Sequence, residues 1–484
     1  MIGGTANLSA VGQGIVLDTA GNNFGTVQAN GANVTLVDVN AMNVGVSTVA
    51  GTLSVTANGA VGVSGAVSAG NLSVTTGNGA ITQAAVAVAV SGTTSLSTGS
   101  GAITLSTATN NFNVVNATGG AVALRDANAL VLGNVAATGA LTVTTAGAVT
   151  QAANTTVSAT GTATFNVGAG NNLTLDNVGN NFGNVAITTA NNVVLREGNA
   201  LAFAGGTSTV SGNLTVVAGG AITQASQIVA SAGVSRFDAG TNDIVLTNAA
   251  NNFGTVGASG ANVSLRDTNA VVLGNVAATG ALTLTTAGVV TQAANTTVTA
   301  AGQATFNTGT GALTLANDGN DFGVVRVVAA GATSLRDANA LEFGGGATSV
   351  TGALTVTTAN ATVSQSSSVA ATGLATFNVG TGDVTLGNTA NSFANVAIAS
   401  ARDVTLYEAG GFDLAASTVS GNLRVTSTGA ITDSGNLSVA GLAAFETRLN
   451  AGAAITLNSA GNNYGSVSAL ARNGANTANA AGAI

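Results

Sequence analysis

The chain has 484 residues with 67 Gly and no Pro, Cys, Trp or His, and its ten cationic residues are all Arg. With 6% charged residues and a net charge of −8, it lacks the groups for disulfides, His or Cys metal centres, Ser/His/Asp or Cys/His catalysis, Walker A loops, Schiff bases and a basic nucleic-acid stripe. A mean hydropathy of +0.46 excludes the disordered class, and the longest apolar run, Ala84–Val90, is far short of the roughly 20 residues of a helical membrane span.

Met1-Ile2-Gly3-Gly4 leads straight into patterned sequence, with neither a signal-peptide nor a transit-peptide profile. The segment Asn7–Leu17 already carries the repeat pattern, and Asn22-Asn23-Phe24 is the first of a recurring triplet. Its later copies end at Phe112, Phe182, Phe253, Phe322, Phe393 and Tyr464, at intervals of 88, 70, 71, 69, 71 and 71. A second marker follows five of the triplets, those ending at Phe112, Phe182, Phe253, Phe322 and Phe393: Leu124-Arg125-Asp126, Leu195-Arg196-Glu197, Leu265-Arg266-Asp267, Leu335-Arg336-Asp337 and the variant Leu406-Tyr407-Glu408. A third, an apolar residue followed by Thr-Gln, ends at Gln83, Gln151, Gln224 and Gln292, with Ser364-Gln365 as its relative. Three markers sharing one period define a repeat of about 71 residues. The run Val131–Thr142 returns unchanged at Val272–Thr283, so a two-repeat block has been duplicated. The single long interval has its own cause. Gly51–Thr56 is echoed by Gly70–Thr75 nineteen positions on, an extra unit near 51–69 of the kind that a modular stack tolerates.

Inside a repeat, patches such as Leu141–Thr144, Ala163–Phe165, Leu173–Leu175 and Val193–Leu195 alternate apolar and polar residues between Gly/Asn punctuation. Period 2 with β-branched residues predicts short strands, and no window sustains a helical period. Aligning the patches predicts three columns of inward residues: Val143–Phe165–Ile187, Val157–Phe182–Phe203 (with Val298–Phe322–Phe343 in the duplicate) and Val149–Leu173–Val193. The fold class is therefore all-β, a triangular parallel β-helix or β-solenoid with about 19–29 residues per coil. The reading gives roughly 21 coils in a rod on the order of 100 Å and three coils per repeat. It treats 1–484 as one repetitive solenoid, ending in an irregular tail, 470–484. The absence of Pro follows, because each strand must donate N–H groups to a neighbour. Arg125, Arg196, Arg266 and Arg336 are expected to recur in one column about 14 Å apart, each forming a solvated pair with its neighbouring acid at a corner.

The runs Gly139–Gln151, Gly179–Val185 and Leu124–Leu130 resemble the β-strand repeats of filamentous-haemagglutinin-like bacterial exoproteins, over residues 5–465. The resemblance implies a right-handed helix and a secreted surface fibre. The N-terminal secretion domain of that family, with its Asn-Pro motif, has no counterpart in a chain without Pro. The expected function is a structural, non-enzymatic, self-associating shaft at the bacterial surface. Cell-surface or matrix polysaccharide is a further candidate partner, while nucleic acid, cofactor and metal are not expected. A stalk presenting a binding domain beyond this sequence is the alternative. Three remoter readings rest on particular residues. A polysaccharide-active enzyme would use the closest acid pairs, Asp238/Asp243 and Asp318/Asp321; a calcium solenoid would extend the fragment Gly380–Asp383; an ice-binding face would extend Thr142-Val143-Thr144 and Thr283-Leu284-Thr285. No catalytic, cofactor or metal residue is assigned.

Overall fold

The computed structural model describes residues 2–482 and 484. Among them are fifty strands and no helix, and the strands stack in parallel about 21 residues apart as a β-solenoid of about 22 turns. The chain divides into two compact units, Met1–Asn242 with Ala250–Phe253, and Asp243–Ala249 with Gly254–Ile484. Each is a stack of coils.

Within a coil, three strand segments enclose a dry interior, because alternate residues point inward and find apolar partners one coil above and below. Val143 faces Phe165 and Phe165 faces Ile187, while Val149, Leu173 and Val193 form a second ladder. All six are buried. The column expected through Phe182 has a different register. Phe182 lies on Ala159, and Phe203 lies on Val185; the duplicate repeats this with Phe322 on Ala300 and Phe343 on Val325. Asn180, which accepts the Val157 N–H, takes the place opposite Val157, so Phe182 falls two residues further along, on Ala159. A one-residue bulge follows between Ala159 and Thr162, where the strand Val157–Asn166 turns the corner. Placing Phe beside Ala leaves room for a second ring. Phe182 meets Phe165 edge to face at 6.1 Å, and Phe322 meets Phe306 at 6.0 Å.

The repeat is not a whole number of coils. Leu124 is followed up its ladder by Val143, Phe165 and Ile187. Leu195, one repeat after Leu124, instead sits on the ladder of Leu175, eight residues beyond Ile187 and on the next side. In the second unit, Leu265 leads to Leu284, Phe306 and Val327, while Leu335 sits on Leu315. Each repeat thus spans three coils and one further side, rather than three coils. The Arg residues of the second marker consequently fall on different ladders and form no column.

The echoed segments near residue 51 are direct neighbours, with Leu53 on Leu72, Ser54 on Ser73 and Val55 on Val74. At the other end, the strand Asn463–Arg472 stays paired with Leu437–Arg448, so the irregular segment begins after Arg472. There the Arg472 guanidinium donates to Asn476 Oδ1 at 2.9 Å and Asn479 Oδ1 at 2.8 Å, folding the following residues back against Ala471.

Candidate functional site

The polar groups that recur in every repeat converge inside the solenoid. In the repeat containing Gln151, the Gln151 amide donates to Asn180 Oδ1 at 2.7 Å, and Asn180 Nδ2 donates back to Gln151 Oε1 at 3.0 Å. Asn180 Oδ1 also accepts the Val157 N–H at 2.9 Å, and its Nδ2 reaches the Leu175 carbonyl at 3.2 Å. The reciprocal amide pair recurs as Gln83–Asn110, Gln224–Asn251, Gln292–Asn320 and Gln365–Asn391. In the last repeat Asp433 replaces Gln and accepts from Asn462 Nδ2. Each of these amide-paired Asn is the first residue of the Asn-Asn-Phe triplet, and Asn110, Asn180, Asn251, Asn320 and Asn391 are all buried.

Two residues on, the Phe N–H donates to the acid of the second marker. Phe112 reaches Asp126 at 2.5 Å and Phe182 reaches Glu197 at 2.6 Å, and Phe24 reaches Asp38, the acid at the matching place in Leu36-Val37-Asp38, at 2.5 Å. In the second unit, Phe322 and Phe393 bind Asp337 and Glu408 at 2.8 and 2.7 Å. The other carboxylate oxygen accepts an N–H two residues ahead, from Asn40, Asn128, Asn199, Asn339 or Gly410, an Asx-type turn. Asp267 accepts from Asn269 in the same way at 2.8 Å. Burial raises the carboxyls of Asp126, Glu197 and Asp337 above their ordinary values against the pull of these N–H bonds, and pushes Glu408 up to about 7. The solvated Arg/acid corner pair is therefore corrected: the acid turns inward to hold main chain, and the Arg beside it points outward. Arg336 pairs with Asp318, an acid from outside its own marker, at 2.9 Å.

The residues singled out for chemistry are occupied in other ways. Asp238 accepts the Gly240 N–H within its own turn, and Asp243 accepts from Asn262. Asp383, in the Gly380–Asp383 fragment, is bound by Arg402 at 2.9 and 2.6 Å, which holds its carboxyl below the ordinary value. Among the described residues no group of three or more acids is placed to hold a metal ion. Thr142 and Thr144 lie beside Thr164 and Asn166 on the next coil, and Thr283 and Thr285 beside Thr305 and Asn307, so each Thr pair gives way to Thr/Asn after one rung. Among the described residues no helix is long and apolar enough to cross a membrane.

Sequence reasoning found all three markers but not that they touch. The signal was their constant order, a Gln, then the triplet 26–29 residues on, then the acid 14–15 residues after the Phe. No curated protein and no solved structure matches the chain. Eight successive segments, 1–30, 31–70, 64–118, 119–189, 190–259, 260–329, 330–400 and 401–471, match the family described as "Repeats of unknown function (DUF5649)". Those matches span nearly the whole sequence, and the chain belongs to that repeat family.

Proposed function

We propose that the chain is a non-enzymatic structural shaft of an extracellular bacterial surface fibre, of the filamentous-haemagglutinin-like kind, which associates with copies of itself. The observation that carries this reading is the direction of the recurring chemistry. Its amides and carboxylates bond to one another and to main chain inside the coils. They serve as fasteners between coils, and none is left pointing at a substrate. The outward positions are mostly Thr, Ser, Asn and Ala, so little electrostatic repulsion separates neighbouring molecules. Stacked Thr and Asn rows supply hydrogen-bonding groups for lateral contact, and such contact is insensitive to salt screening.

Sedimentation velocity at micromolar concentration in low and high salt, with electron microscopy of the same samples, tests the proposal. Elongated assemblies that persist at high salt are expected. A stable monomer under both conditions would reject self-association and favour a stalk for a separate binding domain.

A further inference from the structure

We propose that Asn78 is a self-modification site, at which the Gly79 main-chain nitrogen attacks the Asn78 amide and converts it, through a succinimide, to isoaspartate and aspartate. Four Asn-Gly pairs occur in the chain, beginning at Asn30, Asn58, Asn78 and Asn473. In each the attacking nitrogen belongs to a residue without a side chain, so all four share the intrinsic chemistry. The structure separates them. Asn30 and Gly31 end the strand Phe24–Gly31, which has a neighbour on either side, and this pairing resists the rotation that ring closure needs. Gly59 donates its N–H to the Asn40 carbonyl at 3.0 Å. Gly474 donates to Asn450 Oδ1 at 2.8 Å, and Asn473 Oδ1 is taken by the N–H groups of Thr477 and Ala478. Asn78 and Gly79 instead lie in the bend between the strands Val67–Thr76 and Ile81–Gln83. Among the described residues the Gly79 N–H has no hydrogen-bond partner.

The amide is also activated by its neighbours. Asn78 is exposed, and its Oδ1 accepts two donors from one residue of the next coil, the Ser100 N–H at 3.2 Å and Ser100 Oγ at 3.0 Å. Gly99, at φ +57°, brings that turn close, since a Cβ there would lie 2.6 Å from Asn78 Oδ1. Two donors on the amide oxygen stabilise the negative charge that gathers there as the nitrogen adds. As the bond from Gly79 N to Asn78 Cγ forms, the Gly79 proton passes to solvent base. The Cγ–Nδ2 bond then breaks, and Nδ2 takes up a proton and leaves as ammonia. Water opens the ring at either carbonyl, and opening at the main-chain carbonyl of Asn78 leaves isoaspartate, with one extra methylene in the backbone. The corner has no room for it: a Cβ on Gly79 would already lie 2.3 Å from the Gly59 carbonyl carbon and the Ala60 nitrogen. Either product adds a carboxylate to residues 1–124, where Asp18 and Asp38 are the only charged side chains. Conversion therefore loosens the joint between this corner and the coils beside it.

Peptide mass spectrometry of the full chain during incubation at pH 8, with isoaspartate told from aspartate by fragmentation, tests the assignment. Asn78 is expected to lose ammonia about tenfold faster than Asn30, Asn58 and Asn473, with isoaspartate among its products, and the difference should collapse in urea. Ser100→Ala removes the hydroxyl donor from an exposed turn. It should slow Asn78 several-fold in the folded chain and leave its rate in urea unchanged, and unaltered circular dichroism verifies the fold. Hydrogen exchange over residues 76–101 should quicken once Asn78 has converted. The proposal is overturned if Asn78 reacts no faster than the other three in the folded chain, or if its product holds no isoaspartate. A Ser100→Ala chain that converts at the parent's rate, or exchange over 76–101 that conversion leaves unchanged, would overturn it equally.

Discussion

The main-chain N–H of Phe182 donates to Glu197 Oε2 at 2.6 Å, from a carboxylate fifteen residues ahead in sequence. That bond joins two sequence markers into one device, and the amide of Asn180, two residues before the Phe, joins the third through Gln151. One buried polar cluster per repeat therefore fixes how consecutive coils sit on one another.

Removing the centre of that cluster is the most direct test. Asn180 is almost fully buried and uses both ends of its amide. Asn180→Ala strands the Val157 N–H and the Leu175 carbonyl, each an orphaned group that costs about 1–3 kcal/mol. Thermal melts should show a loss of about 2–4 kcal/mol. Gln151→Ala leaves Asn180 bonded to main chain and should cost less. Equal losses in the two variants would contradict the central role of the Asn.

The apolar ladders predict a second contrast. Phe182→Asp places an unpaired charge between coils and should lower stability by more than about 3 kcal/mol, whereas Thr142→Ala, on an outward position, should change it by less than about 0.5 kcal/mol. Hydrogen exchange of the coils around residue 182 would localise the first effect. Unchanged protection there would place Phe182 outside the core.

Burial of Glu408 sets a direction for pH. Its carboxyl titrates near 4.5 when unfolded and at about 7 in the folded chain, so the folded state holds the proton more tightly. The favourable contribution is fully present below about pH 4.5 and is lost as pH rises through 7, a change of up to about 3 kcal/mol. Asp383 and Asp433, both held below the ordinary value, act oppositely, but only at pH below about 4. Urea midpoints should therefore fall from pH 5 to pH 7.5, and Glu408→Gln, which keeps a carbonyl acceptor for the Phe393 N–H, should flatten the slope. A midpoint that rises over this interval in the parent chain would contradict the assignment.

Much of the architecture is legible in the sequence, and the reason is periodicity. The ladders through Phe165 and Leu173 follow from spacing because their strands run straight between corners. Spacing fails at Phe182, which sits on Ala159 rather than two residues earlier on Val157 because Asn180 occupies the place opposite Val157, and no residue type announces that offset. The extra side per repeat is hidden for a related reason. Coil length varies, from nineteen residues between Leu124 and Val143 to twenty-two between Val143 and Phe165, so a mean period cannot separate three coils from three and a third. The inward turn of the acids is hidden because Arg beside Asp reads as a surface ion pair until strand alternation is applied to that pair as well.

Neighbouring residues Arg336 and Asp337 provide the last test, since the two readings of the Arg/acid marker differ most there. As a solvated corner pair, the two would be worth little and about equally little. In the structure they do different things. Arg336 makes an ion pair with Asp318, whose side chain is 84% exposed, and such surface pairs contribute about 0–1 kcal/mol. Asp337 is fully buried and holds the N–H groups of Phe322 and Asn339 at 2.8 and 2.6 Å. Arg336→Ala should shift stability by no more than about 0.5 kcal/mol, and high salt should erase even that. Asp337→Ala leaves two N–H groups without an acceptor and should cost about 2–4 kcal/mol at any ionic strength, while Asp337→Asn retains one acceptor oxygen and should recover part of the loss. Chemical denaturation of the three variants at 20 mM and 500 mM salt separates the readings, because matching small effects from Arg336→Ala and Asp337→Ala would restore the solvated pair.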